Sequence, residues 1–126
     1  MALTATIYKV ELAIADMDRG YYGTHHLTLA RHPSETSERL MVRLLVFALH
    51  AEERLEFTKG LCVDEEPAVW ARSLSGEIET WIEVGQPDER RIRKGCNRAK
   101  QVVIYAYGGH AAELWWEKTH SRVTRF

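Results

Sequence analysis

The stretch from Glu77 to Tyr107 constrains the fold more than any other part of this chain. Ile78, Thr80, Ile82 and Val84 alternate with Glu77, Glu79, Trp81 and Glu83, the two-residue period of a strand. Gly85-Gln86-Pro87 ends that strand, and Asp88 is placed to cap a helix running to about Lys100. Val102 to Tyr107 is then a near-continuous apolar run, as expected of a strand buried on both faces. Strand, helix and strand in this order predict a βαβ unit with parallel strands and a right-handed connection.

The preceding segments read differently. Residues 3–14 alternate as a strand, Asp16 to Gly20 has turn chemistry, and His25 to Ala30 predicts a second strand antiparallel to the first. Adjacent His25 and His26 would point to opposite faces and so cannot share a metal. Ser34 is the expected cap of a helix over 35–52, with Glu35 and Glu38 in its first turn. Its apolar face is expected at Met41, Leu44, Leu45, Ala48 and Leu49. A strand over Leu55–Leu61, an acidic turn over Val63–Pro67, an ambiguous segment over Ala68–Arg72 and a turn at Ser75-Gly76 follow. After Tyr107 a helix over Ala111–Thr119 and a strand from Arg122 to Phe126 are expected. The sum is one mixed α+β or α/β domain.

Composition narrows the function classes. The chain has 126 residues, enough for one modest core, with 45% hydrophobic and 28% charged residues and a net charge of −1. That charge supplies no global basic field, so any attraction to nucleic acid must come from a local patch. No apolar stretch approaches the roughly 18 residues of a membrane span, and Met1–Val10 lacks the charged start and apolar run of a signal peptide. Cys62 and Cys96 form no Cys-x-x-Cys pair, which fits a reduced cytoplasmic setting without a disulfide.

Chemistry concentrates around the βαβ unit. Glu77, Glu79 and Glu83 share one side of their strand, and like charges there repel unless solvent or a divalent cation offsets them. Glu83 falls at the carboxyl end of its strand, beside a helix start, where open α/β sheets collect ligands and anions. The helix carries Arg90, Arg91, Arg93, Lys94, Arg98 and Lys100, which suit phosphates. Acids for a metal beside bases for a phosphate is the arrangement of metal-assisted phosphodiester cleavage. The same residues also fit a solvated strand face and a surface helix whose charges pair. Trp70, Trp81, Trp115, Trp116, Tyr105 and Tyr107 read as core or partner contacts rather than base-stacking platforms.

Several segments together resemble the YaeQ family of bacterial proteins. They are Leu29-Ala30-Arg31-His32-Pro33-Ser34-Glu35-Thr36 with Glu38-Arg39, Leu61-Cys62, Asp64-Glu65-Glu66-Pro67, Trp81-Ile82-Glu83 with Gly85, Pro87-Asp88-Glu89-Arg90-Arg91-Ile92, and Trp115-Trp116. The opening residues Met1 to Lys9 match as well, so the resemblance runs through the whole chain. Family members continue beyond this chain by roughly a third of a typical domain, so the family's C-terminal part is expected to be missing here.

The resemblance implies a restriction-endonuclease-like core of the PD-(D/E)XK type and a cytoplasmic location. It implies a helix acid at Glu38 (or Glu35), a middle acid at Glu79 or Glu66, and the acid of the acid-x-Lys pair at Glu83. Glu79, Glu83 and Glu66 would hold Mg2+ or Mn2+. Gly85 stands where the lysine belongs, so Arg91 or Lys94 would take its role, with Gln86 nearby. The resemblance thus implies a metal-dependent nuclease. The alternative is a non-catalytic protein that binds nucleic acid or a protein partner through helix 89–100.

Overall fold

The computed structural model describes residues 6–58 and 66–123. Its first unit is a long antiparallel hairpin, β1 (Thr6–Asp16) and β2 (Tyr21–Arg31), in register from Thr6↔Arg31 to Asp16↔Tyr21. Both strands outrun their sequence-based bounds at the turn. There the Asp16 carboxylate accepts from the backbone N–H of Arg19 at 3.2 Å and from its guanidinium at 2.8 Å, which closes the turn tightly enough for pairing to continue to it. Leu12, Ile14, Tyr21 and Leu27 turn inward against the core, while His25 and His26 take opposite sides as their spacing requires.

Helix α1 (Ser37–His50) is capped by Thr36, whose hydroxyl accepts from the Arg39 N–H at 3.1 Å. The expected cap, Ser34, is instead held in a short turn by the ring of His32. The helix is also rotated from the expected orientation. Met41, Leu45 and Leu49 stand 60%, 59% and 50% exposed, while Arg43, Val46 and Phe47 are buried. Arg43 sets this rotation. Its guanidinium meets the buried Glu35 carboxylate at 2.9 Å and the Ala30 carbonyl at 3.0 Å. A buried carboxylate must have such partners, so the face bearing Arg43 is the one drawn inward.

The second sheet has the order β3 (Leu55–Phe57), β4 (Val69–Arg72), β5 (Ile78–Val84), β6 (Ala99–Tyr105). Its first three strands are antiparallel, and β5 and β6 are parallel, as the βαβ pattern predicts. Strand β4 resolves the ambiguous segment 68–72. Of the strand expected over 55–61, only Leu55–Phe57 pairs, and 59–61 fall outside the described residues, as does most of the acidic turn over 63–67.

Helix α2 (Glu89–Arg98) connects β5 to β6. Its cap, Asp88, accepts from the Arg91 N–H at 2.8 Å as expected. Strand β6 differs from expectation: it begins at Ala99, and it is an edge strand with Val102 to Tyr105 half-buried. Among the described residues only β5 pairs with it, and its half-buried apolar run is not buried on both faces as expected.

Helices cover both faces of this sheet. Val46 and Phe47 of α1 pack with Val69, Ala71, Ile82 and Val84. On the other face Trp81, 1% exposed, lies under α2. A Cβ added to Gly95 would stand 2.9 Å from two atoms of that indole ring, so only glycine lets the helix come this close. Helix α3 (His110–Val123) packs on α2 and runs past the expected end at Thr119. Arg122 and Val123 are helical, not the start of a strand. In sequence the β-branched Val123 and Thr124 imitate a strand onset, but no Gly or Pro stands between Thr119 and Val123, and the Arg122 guanidinium reaches back to Glu89 at 3.6 Å. Residues 124–126 lie outside the described residues. Among the described residues no helix is long and apolar enough to cross a membrane.

Candidate functional site

The carboxyl end of β5 opens into a cleft of about 390 Å³. Its walls include Arg39 from α1, Glu83 from β5, Gln86 and Asp88 from the loop into α2, Arg91 from α2 and Tyr107 beyond β6. Three chain segments that are distant in sequence thus supply one site at the position where parallel strands present ligands. The loop is braced from outside: the Trp115 indole N–H donates to the Pro87 carbonyl at 2.8 Å. The Gln86 side-chain amide donates to the Tyr107 carbonyl at 3.2 Å and ties the two loops together.

Two buried carboxylates orient the arginines of this cleft. Glu83, with a 4% exposed side chain, receives the Arg91 guanidinium through both oxygens, at 2.7 and 3.3 Å. Arg91 also donates to the Glu66 carbonyl at 2.7 Å. Glu35, with a 1% exposed side chain, accepts from Arg39 at 2.5 Å and from Arg43 at 2.9 Å. Such charge-assisted pairs fix the guanidinium planes. Arg39 was legible only as a signature residue. Its link to Glu35, four residues earlier, is the signal that could have placed it.

The candidate acids do not assemble as one group among the described residues. Glu83 is committed to Arg91. Glu79 lies four residues back along β5, about 13 Å at strand rise, where Lys100 meets it at 3.4 Å and Glu77 at 3.7 Å. Glu66 lines a different depression, with Thr28, Glu56 and Trp70, and its carbonyl accepts from Arg91. Glu38 is exposed in the first turn of α1 and does not line the cleft; Glu35 stands behind the cleft wall instead. No three His, Cys, Asp or Glu side chains among the described residues are placed to hold a metal ion. Asp64 and Glu65 of the acidic turn lie outside the described residues.

Gly85 has φ +99°, and its N–H donates to the Tyr105 carbonyl at 2.9 Å. A side chain is strained there. The backbone at the position of the expected lysine is therefore shaped for glycine, and the nearest atom to a Cβ built there belongs to the Tyr107 ring, at 3.7 Å.

The basic helix is partly neutralised by its neighbours. Arg93 pairs with Glu89 at 3.1 Å, Lys100 with the β5 acids, and the Arg98 guanidinium sits 5.7 Å from the Trp81 ring centre. Arg90 and Lys94, with Asp88 and Arg91, line a second depression beside the main cleft. Arg39, held from behind by Glu35, lines the main cleft, and Arg90 and Lys94 line the depression beside it. Elsewhere, burial pushes the half-buried Cys96 thiol above its ordinary range, which disfavours the nucleophilic thiolate.

Comparison with known proteins covers the whole chain. The family model described as YaeQ protein matches residues 1–126. The chain is 51% identical over 126 residues to the uncharacterized protein YaeQ of Escherichia coli (strain K12), matching 100% of the chain and 70% of that protein. It is 50% identical, with the same coverage, to the uncharacterized protein YaeQ of Salmonella typhi. The crystal structure of YaeQ protein from Xanthomonas axonopodis pv. citri is similar at a TM-score of 0.88 and 57% identity, covering 97% of this chain and 69% of that one. The YaeQ protein from Pseudomonas syringae gives a TM-score of 0.87 and 44% identity, covering 93% and 64%. With a family model spanning every residue and solved relatives sharing its fold, this chain belongs to the YaeQ family.

Proposed function

We propose that the chain binds the sugar-phosphate backbone of nucleic acid across the cleft at the end of β5 and the adjoining α2 surface. The observation that carries this reading is the placement of Arg39, Arg90 and Lys94 around two adjoining depressions at one helix start. Guanidinium and ammonium groups placed side by side in this way suit phosphate oxygens. In this reading Arg91 is structural. It neutralises Glu83, so the buried acid does not repel the phosphate. A restriction-endonuclease-like core would then serve as a binding scaffold without cleavage.

The test is fluorescence anisotropy of a labelled oligonucleotide titrated with the protein in EDTA. Binding that persists without divalent metal and weakens in Arg90→Ala and Lys94→Ala supports the reading. Binding that requires Mn2+, or that both variants leave unchanged, overturns it.

A second reading, metal-dependent phosphodiester cleavage centred on Glu83, is favoured by one feature. A buried carboxylate at the carboxyl end of a parallel strand faces an open cleft. Mg2+ or Mn2+ there would need Glu83 released from Arg91 and further ligands beyond Glu79, Glu38 and the Glu66 carboxylate as they stand, so the described residues do not fit the ion as placed. Calorimetric titration of Mn2+ decides between the readings. Saturable binding abolished by Glu83→Ala favours the nuclease, and none favours the scaffold.

A further inference from the structure

Tyr107 offers the cleft something that phosphate binding does not require. It lies beyond the end of β6, half-buried and packed against the core cluster that includes Val84. It also lines the cleft, with Gly85 and Gln86. Gly85 carries no side chain, and the built Cβ there would be 3.7 Å from the Tyr107 Cε1 atom. Any larger residue at 85 would stand against that ring, so the glycine leaves the ring open to the cleft. The position is held by the Gln86 amide on the Tyr107 carbonyl. The cleft thus pairs an open aromatic surface with a guanidinium, Arg39, that Glu35 fixes from behind.

Its volume, about 390 Å³, lies in the range of sites that enclose a small organic ligand, and a base inside a duplex is unavailable to such a wall. We propose that the cleft takes one unstacked nucleotide of a single-stranded nucleic acid, its base against Tyr107 and its phosphate at Arg39. This rests on the nucleic-acid reading above and narrows its partner to single strands. Stacking on an aromatic side chain is largely blind to sequence, because every base has a π-face, so the site selects strandedness rather than sequence.

The experiment compares a single-stranded oligonucleotide of about 12 nucleotides with its duplex, for the wild-type chain, Tyr107→Leu and Tyr107→Phe. Leucine keeps the apolar packing and removes the ring, so loss of preference is not confused with failure to fold. The expected result is a wild-type preference for the single strand of about tenfold, erased by Tyr107→Leu and kept by Tyr107→Phe. Equal affinity for both forms, or a preference that Tyr107→Leu leaves intact, overturns this inference and leaves the backbone reading standing. A wild-type chain that binds neither form refutes both.

Discussion

Replacing Arg91 with alanine should be among the most damaging single changes at the surface of this protein. Glu83 has a side chain only 4% exposed, and Arg91, 25% exposed, meets both of its oxygens. Removing one partner of a buried pair typically costs about 3–5 kcal/mol, because the remaining charge is left without compensation. Arg91 also holds the Glu66 carbonyl at 2.7 Å, a hydrogen bond whose net contribution is about 1 kcal/mol. Water entering the space left by the partly exposed arginine would relieve some of the penalty. The expected loss is therefore near the lower bound, about 3 kcal/mol. For a chain of this length that corresponds to a fall in melting temperature of roughly 12 °C.

Urea denaturation of the wild-type chain, Arg91→Ala and Glu83→Gln/Arg91→Ala measures the effect. The double variant should recover part of the loss, because the buried charge is gone. A loss below about 1 kcal/mol in Arg91→Ala would put the pair among ordinary surface ion pairs and refute the role assigned to Arg91. So would a double variant no more stable than the single one.

Other perturbations follow from the same geometry. Gly95→Ala should destabilise by about 1–3 kcal/mol, because the new methyl meets the buried Trp81 ring at 2.9 Å and overpacking outweighs the gain in helix propensity; a chain as stable as wild type by thermal melting would contradict the close α2–sheet contact. Gly85→Lys should cost about 1–3 kcal/mol from its positive φ, and an unchanged melting temperature would show that the loop tolerates a side chain. The ordinary pKa of His50, 6.5, is lowered first by burial and then by the charge of Arg19. The folded state therefore holds fewer protons on His50 than the unfolded state does. Its contribution is complete above pH 6.5 and is lost as pH falls below that through the lower value of the folded state. Denaturation midpoints at about pH 7.5 and pH 5.5 should differ more in the wild-type chain than in His50→Gln, and equal differences would remove this role. The His50 ring also meets the Tyr105 hydroxyl at 2.5 Å, so Tyr105→Phe should destabilise by about 1 kcal/mol, read by the same denaturation.

Periodicity made the backbone plan legible in the sequence. The βαβ unit, its Asp88 cap and the N-terminal hairpin follow from alternation and turn chemistry, which are local properties. The rotation of α1 was not legible. A helical wheel ranks Met41, Leu45 and Leu49 inward, whereas the structure buries Arg43 because Glu35 waits beneath it. That ion pair spans a helix boundary and leaves no periodic trace. Strand β6 misled for a similar reason: an apolar run records side-chain type, and its position at the sheet edge depends on the order of the strands.

The candidate site was legible in part. Glu83, Arg91 and the helix that follows were singled out by position, and they do meet. Equal parity along β5 placed Glu79 beside Glu83 in pattern, yet pleat geometry sets them about 13 Å apart, each with its own cation. Gly85 looked like a missing lysine until its φ of +99° gave the glycine a reason of its own. Tyr107 looked like core, and only the cleft between its ring and Gly85 gives it a second surface.

The salt dependence of single-stranded oligonucleotide binding in EDTA distinguishes a metal-independent backbone site from a metal-dependent one. Three cationic contacts, Arg39, Arg90 and Lys94, predict a slope of log K against log salt near −2, since each contributes about −0.7 on a single strand. Raising salt fourfold should then weaken binding by roughly twentyfold. A slope near zero, or binding that appears only when Mn2+ replaces EDTA, would contradict a metal-independent backbone site.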